Sequence, residues 1–277
     1  HDRGYSPFKF RVTDHVLLGS NRLFVLVDNH LRADRVPGVR FDWNNDGGLI
    51  NGVRLITVPE CHVQNFKLQT KVFVDEVEVN IRVWVGSSSN ASGTVEISAP
   101  ELDRTERASV DSSGCTNVCW KFPREDVILW CPESPKLYRM VISTQDESVE
   151  DEIGLREIST RGREILLNGS PVHLYGVSVH SEFLLSGRTV TREGIEMLVA
   201  KVKELGCNFI RCAHYPYAEI FGRAMDRAGV MWWEEVPVYW LSWIHKDPQL
   251  SIALGMLEDT IPRDWNRASL IIWSVSN

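Results

Sequence analysis

The sequence predicts a multidomain chain of β plus α/β class, and three observations predict it. Between residues 8 and 143, short runs of alternating apolar and polar residues recur at regular spacing, with no helical period competing. After Gly154 strands and helices alternate, the pattern of a parallel sheet with crossover helices. The 277 residues are 43% hydrophobic and include 10 Trp and 10 Phe, enough for a large buried core. Most of those aromatics read as core; the functional alternative is a platform for the C–H face of a pyranose. At roughly 100–200 residues per domain, the length allows two domains or three small ones.

Phe8-Lys-Phe-Arg-Val12 and Leu23-Phe-Val-Leu-Val-Asp28 alternate and read as strands, with turn chemistry at Gly19-Ser-Asn21 between them. The polar loop Asp42–Gly48 leads to another strand, Val53–Val58. Strands follow at 67–74, 76–85, 94–98 and 136–143, with Ser87–Gly93 as a hairpin tip and Pro132 and Pro135 in a later connection. Short, evenly spaced strands predict an antiparallel sandwich of immunoglobulin type. Val172–Val177 is a near-continuous apolar run, as suits a parallel strand buried on both faces. In 191–206, Ile195, Leu198, Val199, Val202 and Leu205 share one helical face, with Thr191 as N-cap and Gly206 just past the end. Strand 208–212, helix 218–228, strand 230–235, helix 248–265 and strand 270–275 continue the alternation, which stops after its fourth strand. Residues 154–277 are about half of the roughly 250 that an eightfold barrel uses. The first residues begin in mid-strand grammar, so the sequence reads as cut at both ends.

With 30 Lys and Arg against 37 Asp and Glu, a net charge of −7 and a pI near 5.7, neither nucleic acid nor an anionic membrane is expected as a partner. Leu270-Ile-Ile-Trp273, among the longest apolar runs, is far short of the roughly 18 residues that read as a membrane span. No charged-then-apolar leader precedes Tyr5. Six cysteines, at 61, 115, 119, 131, 207 and 212, show no paired C-x-x-C or nearby His cluster, so no zinc site is expected of them. They read as reduced or as a local bridge, which leaves cytoplasm, periplasm and secretion open.

In a β/α barrel the chemistry sits at the C-terminal ends of the strands. Those positions hold His180 and Glu182 after the first strand, Arg211, His214 and Tyr215 after the second, Glu234 and Glu235 after the third, and Asn277 after the fourth. Each has a plainer reading. Arg211 serves equally as a structural ion-pair partner of Glu235, and His214 as a satisfied loop histidine. The two glutamates read alternatively as solvated charges, although Trp232 and Trp233 beside them mark a packed segment. The conjunction at one rim says more than any single member.

Four motifs carry a family resemblance. Gly176-Val-Ser-Val-His180, Leu205-Gly-Cys-Asn-Phe-Ile-Arg-Cys-Ala-His-Tyr-Pro-Tyr217, Trp233-Glu-Glu-Val-Pro237 and Ile272-Trp-Ser-Val-Ser-Asn277 resemble glycoside hydrolase family 2, which contains β-galactosidases, β-glucuronidases and β-mannosidases. The second motif is the most specific. The resemblance runs the whole length in order. It implies that residues 1–60 are the C-terminal part of a jelly-roll, sugar-binding-like domain with Gly4–Phe8 and Asp42-Trp43 as landmarks. Residues 61–153 would be an immunoglobulin-like β-sandwich, and 154–277 the N-terminal half of a (β/α)8 TIM barrel.

The resemblance also implies a retaining exo-β-glycosidase, in which two carboxylates about 5–5.5 Å apart serve as acid/base and nucleophile. In the family the acid/base Glu directly follows the Asn that ends the fourth strand, here Asn277. No carboxylate of this sequence matches either role, so the chain alone is expected to be inactive. What the resemblance places here is the surrounding shell. Asn277 would hold the sugar 2-hydroxyl, Arg211 would orient the nucleophile, and His214 would line the same subsite. His180 and Glu182 would bind substrate, the latter at outer hydroxyls, with Ser181 standing where an acidic residue is common. Glu235 and Tyr215 would support them. Some members hold magnesium beyond the third strand; Val238-Tyr-Trp-Leu241 offers no such ligands, and no cofactor is expected. The expected partner is a carbohydrate, with galactoside and glucuronide both open. An unclosed half-barrel adds self-association as an expectation. A non-catalytic carbohydrate-binding or scaffold fragment is the alternative from another class.

Overall fold

A computed structural model describes residues 1–86, 93–184, 186–240 and 247–277. The predicted hairpin tip, apart from Gly93, and Leu241 lie outside the described residues. The first 60 residues hold no strand; a single 3-10 turn, Thr13–His15, is their regular structure. The strands predicted at 8–12, 23–28 and 53–58 are therefore corrected. Alternation yields a strand only where a neighbour takes its backbone hydrogen bonds and a core takes its apolar face. Here Phe24, Leu26 and Leu55 stay exposed. The segment is instead tied down at points. Arg3 and Ser6 both bond Asp259, at 2.7 and 2.9 Å, and Val36 packs with Val236, Val238, Ile252 and Met256.

Seven strands follow: β1 (His62–Val72), β2 (Glu76–Gly86), β3 (Thr94–Ala99), β4 (Arg104–Ser109), β5 (Cys115–Pro123), β6 (Tyr138–Ser143) and β7 (Ser148–Ile153). They form two antiparallel sheets, β1-β2-β5 and β4-β3-β6-β7. Their inner faces enclose Val77, Val79, Ile81, Val83, Val95, Ile97, Trp120 and Ile142, all essentially removed from water. The sequence reading misses β4, β5 and β7. In β5 the period was present, with Thr116, Val118, Trp120 and Phe122 inward and Asn117, Cys119 and Lys121 outward.

Three short strands, β8 (Ile158–Arg161), β9 (Glu164–Leu167) and β10 (Ser170–Pro171), then make a small antiparallel sheet that the sequence does not announce. The first parallel strand, predicted at 172–177, is β11 (Gly176–Val179). Val172 and Leu174 instead pack in a cluster with Trp130, Leu167 and Phe209. That cluster buries Phe209 at the base of the sheet, where an unsupported half-barrel would leave it bare.

The remaining elements are α1 (Arg192–Glu204), β12 (Phe209–Cys212), α2 (Glu219–Ala228), β13 (Met231–Glu235), α3 (Gln249–Asp264) and β14 (Leu270–Ser274). The sheet runs β11-β12-β13-β14, every pair parallel. This order has no reversal, unlike a doubly wound sheet, and α2 packs beside both α1 and α3, as in a segment of barrel.

α1 starts as predicted: Thr191 is extended, and its hydroxyl accepts from the Gly194 N–H at 3.1 Å. Gly206, past its end, has a φ of +70° that L side chains rarely adopt. Thr191→Ala is expected to lower stability by about 1 kcal/mol. The check is a lower urea midpoint at unchanged m value; an unmoved midpoint would show that the cap contributes nothing.

The sandwich is bonded to the base of the parallel unit. The Trp130 indole donates to the Asp226 carbonyl at 2.9 Å, Asn266 Oδ1 accepts from the Leu68 N–H at 2.9 Å, and Arg267 pairs with Asp151 at 2.5 Å. Gly154, between the two units, lies so close that a Cβ there would stand 2.5 Å from Ala268 and 2.9 Å from Trp130.

Candidate functional site

The period of two along a strand decides which side chains meet. In β12, Ile210 and Cys212 face the helices, while Phe209 and Arg211 face the inner side of the sheet. In β13, Trp232 packs toward the helices and Trp233 inward, so Glu235 follows Trp233 inward and Glu234 goes to the helix side. Adjacent glutamates therefore have unrelated surroundings.

The Glu235 carboxylate is wholly buried and accepts from Arg211 Nη2 at 3.0 Å and Nε at 3.3 Å. His214 Nδ1 lies 2.5 Å from its other oxygen. Since an ionised carboxylate only accepts, that nitrogen carries the proton. Arg211 Nη2 also donates to Asn277 Oδ1 at 2.5 Å, and the guanidinium lies 4.8 Å from the Trp233 ring centroid. The Asn277 N–H is held by the Val238 carbonyl at 3.0 Å. Arg211, His214, Glu235 and Asn277 thus converge at the C-terminal end of the parallel sheet. Glu235 is not a solvated charge; it is the anion around which two other side chains are oriented.

His180 stands beside this group, its ring 5.4 Å from that of His214 and its Nδ1 3.3 Å from the Tyr215 hydroxyl. Burial, and then the neighbouring His214, hold its pKa below the usual histidine value, so the ring is neutral. Tyr215 is buried under the Arg188 guanidinium, and burial pushes its phenol up to about 12.

Glu182 is exposed and lines a separate cleft of about 510 Å³ with Asn44, Asp46, Phe183 and Arg188. It does not join the Arg211 group. Glu234, buried on the helix side, accepts from Arg263 at 3.0 Å and from the Tyr217 N–H at 3.3 Å. Both glutamates are therefore packed, which corrects the solvated reading. The six cysteines are unbridged.

Sequence reasoning misses the contribution of the first 60 residues. Trp43 packs against His214, Tyr215 and Tyr239 with ring centroids 5.1–5.7 Å apart, and its indole donates to the Tyr5 hydroxyl at 2.9 Å. Asp42 bonds the Tyr239 phenol; burial and that carboxylate raise the phenol to about 12. Trp240 stacks on Tyr239 at 5.2 Å and is largely exposed. The available signal was a tryptophan inside an otherwise polar loop, Asp42–Gly48.

A family description for "Glycosyl hydrolases family 2, TIM barrel domain" matches residues 158–277, and one for "Glycosyl hydrolases family 2" matches 61–156. The chain belongs to family 2 of the glycosyl hydrolases. A β-galactosidase of Thermoanaerobacterium thermosulfurigenes is 28% identical over 293 residues, covering 99% of this chain and 40% of that protein. A solved β-glucuronidase from Ruminococcus gnavus, in complex with D-glucaro-d-lactam, superposes with a TM-score of 0.77 at 25% identity, over 90% of this chain and 45% of that one. Bacteroides uniformis β-glucuronidase 3 gives a TM-score of 0.79 at 23% identity, over 91% and 32%. The chain spans between 29% and 40% of the length of the curated relatives first matched. Among the described residues no helix is long and apolar enough to cross a membrane.

Proposed function

We propose that this chain is part of a retaining exo-β-glycosidase that hydrolyses terminal β-linked glucuronides or galactosides. On this reading residues 1–60 close a jelly-roll domain, 61–153 form its sandwich, and 154–277 supply the first half of the catalytic barrel. The observation that carries it is the convergence of Arg211, His214, Glu235 and Asn277 at one strand-end rim. Asn277 offers its side-chain amide to the sugar 2-hydroxyl, a contact that strengthens as the oxocarbenium-like state forms. Arg211, fixed by Glu235, presents positive charge to an attacking carboxylate from a later strand. His214 and His180 line the sugar subsite, and exposed Trp240 gives its C–H face a stacking surface. Glu182, in its own cleft, suits outer hydroxyls. The acid/base glutamate is the residue after Asn277 in the longer protein, and the nucleophile comes from a later strand.

Two assays test this. The 277-residue chain alone should not turn over nitrophenyl β-glucuronide or β-galactoside; robust turnover would refute the placement of both carboxylates in later residues. In the longer protein, Asn277→Ala should lower kcat/KM by about a hundredfold or more, since contacts to the 2-hydroxyl contribute to several kcal/mol of transition-state stabilisation and each 1.4 kcal/mol is tenfold. Sugar affinity with no turnover in the longer protein would favour the binding-module alternative.

A further inference from the structure

We infer that the cleft lined by Asn44, Asp46, Glu182 and Arg188 is a subsite for a second, neutral sugar ring, which makes the substrate a β-linked oligosaccharide. This rests on the glycosidase reading and extends it to the group beyond the terminal sugar. At about 510 Å³ the cleft falls within the roughly 300–1,000 Å³ that ligand pockets span. Two segments distant in sequence build it. Asn44 and Asp46 follow Trp43 in the first 60 residues, and Glu182 and Arg188 lie in the loop between β11 and α1. Tyr215 touches both sites: its hydroxyl is 3.3 Å from His180 Nδ1, and its ring centroid is 4.4 Å from the Arg188 guanidinium. A substrate whose terminal sugar sits among His180, His214 and Asn277 therefore has the cleft beside it.

The hydrogen bonding of Arg188 carries the inference. Its side chain is 5% exposed, and Nη1 donates to the Asn44 carbonyl at 3.1 Å. Nε and Nη2 have no hydrogen-bond partner among the described residues, and buried donors left unpaired are costly. The Asp46 carboxylate stands 3.9 Å from Nε, beyond hydrogen-bond distance. A hydroxyl suits both groups, because it accepts from a guanidinium N–H while donating to a carboxylate. A ligand hydroxyl reaches Nε as the half-exposed Asp46 turns aside. Stacking over Tyr215, with Tyr5 5.7 Å away, fixes the guanidinium plane beforehand. A carboxylate or sulfate on the ligand could only accept, and it would meet the charges of Asp46 and Glu182 with one guanidinium to offset them. A neutral ring meets no such repulsion. Ile50, Phe183 and Leu184 supply apolar lining for its C–H face.

Two measurements test the subsite. In the 277-residue chain, the nuclear magnetic resonance signal of the Arg188 Nε–H, assigned by its loss in Arg188→Lys, is followed during titration with sugars. It should shift saturably with lactose or its glucuronyl counterpart, and not with methyl β-galactoside or methyl β-glucuronide. In the longer protein, Asp46→Ala should lower kcat/KM for the disaccharide at least about tenfold more than for the nitrophenyl glycoside of the same terminal sugar, the contribution of one hydrogen bond to a charged group. Asp46 is exposed, so this variant spares the core. Arg188→Lys keeps the charge but loses the planar fork, and should shift the same ratio in the same direction. A signal indifferent to both disaccharides, or equal losses on both substrates in Asp46→Ala, would overturn the inference. So would an equal response to the methyl glycosides, which would give the cleft to the terminal sugar. Turnover of neither substrate by the longer protein would sink the glycosidase reading, and the Arg188 signal would then decide the cleft by itself.

Discussion

Arg267→Met is expected to destabilise the chain by about 3–5 kcal/mol, because it strands a buried carboxylate. Arg267 and Asp226 are both almost completely buried, 3.1 Å apart, and Arg267 also reaches Asp151. Asp226 accepts from the Ser269 N–H at 2.8 Å and its hydroxyl at 2.6 Å. Even so, burial dominates and lifts its pKa from 3.8 to about 6. The folded state thus holds this proton more tightly than the unfolded chain does. Stability from that proton is complete below about pH 4 and lost as pH rises through about 6. Without Arg267 the charged form has still less to oppose burial. The deficit of Arg267→Met should be largest at about pH 8 and shrink toward about pH 4, as measured by urea unfolding. An equal deficit at both would show that Asp226 is not the stranded group.

A comparable loss, again about 3–5 kcal/mol, is expected from Arg263→Met. Arg263 is the cation between two buried carboxyl groups, bonding Glu234 at 3.0 Å and also Asp264. Burial, followed by the charge of Asp264, pushes Glu234 well above the carboxylate range, and burial raises Asp264 as well. Glu234 Oε2 and Asp264 Oδ1 have no other hydrogen-bond partner, which a proton shared between the two groups explains. One acid, one carboxylate and one guanidinium are neutral together. Glu234→Gln mimics the protonated member and keeps an N–H for Asp264. The folded pKa of Glu234 lies above its unfolded value, so its contribution is present in acid and is lost as pH rises through the folded pKa. Glu234→Gln should therefore match wild type near pH 4 and exceed it at alkaline pH, and should recover part of the Arg263→Met loss. An alkaline limb like that of wild type would refute the shared proton.

The alternation of strand and helix after residue 191 is legible because local rules suffice there: Thr191 and Gly206 bracket α1, and 3.6-residue spacing marks its buried face. The rim residues are legible for the same reason, as each follows an apolar strand. What the sequence hides depends on partners distant along the chain. Phe8–Val12 and Leu23–Asp28 have strand-like patterns, but a pattern does not say whether a neighbour exists. Asp42 and Trp43 stand 138 and 137 positions before His180 and Tyr239 stands 59 after it, so they reach the site only through folding, and no spacing rule links them. The opposite fates of Glu234 and Glu235 were readable, since neighbours on a strand face opposite sides.

The buried ionic cluster of Arg267, Asp226 and Asp151 lies before β14, whereas Asn277 follows it. Attachment of the sandwich and the proposed sugar subsite thus lie at opposite ends of the same strands. Substitutions so separated tend to act additively, without shared partners. A lineage carrying this architecture can rewrite its rim loops for new substrates while the joint beneath keeps its own sequence, and an engineer can strengthen the joint first and diversify the rim afterwards.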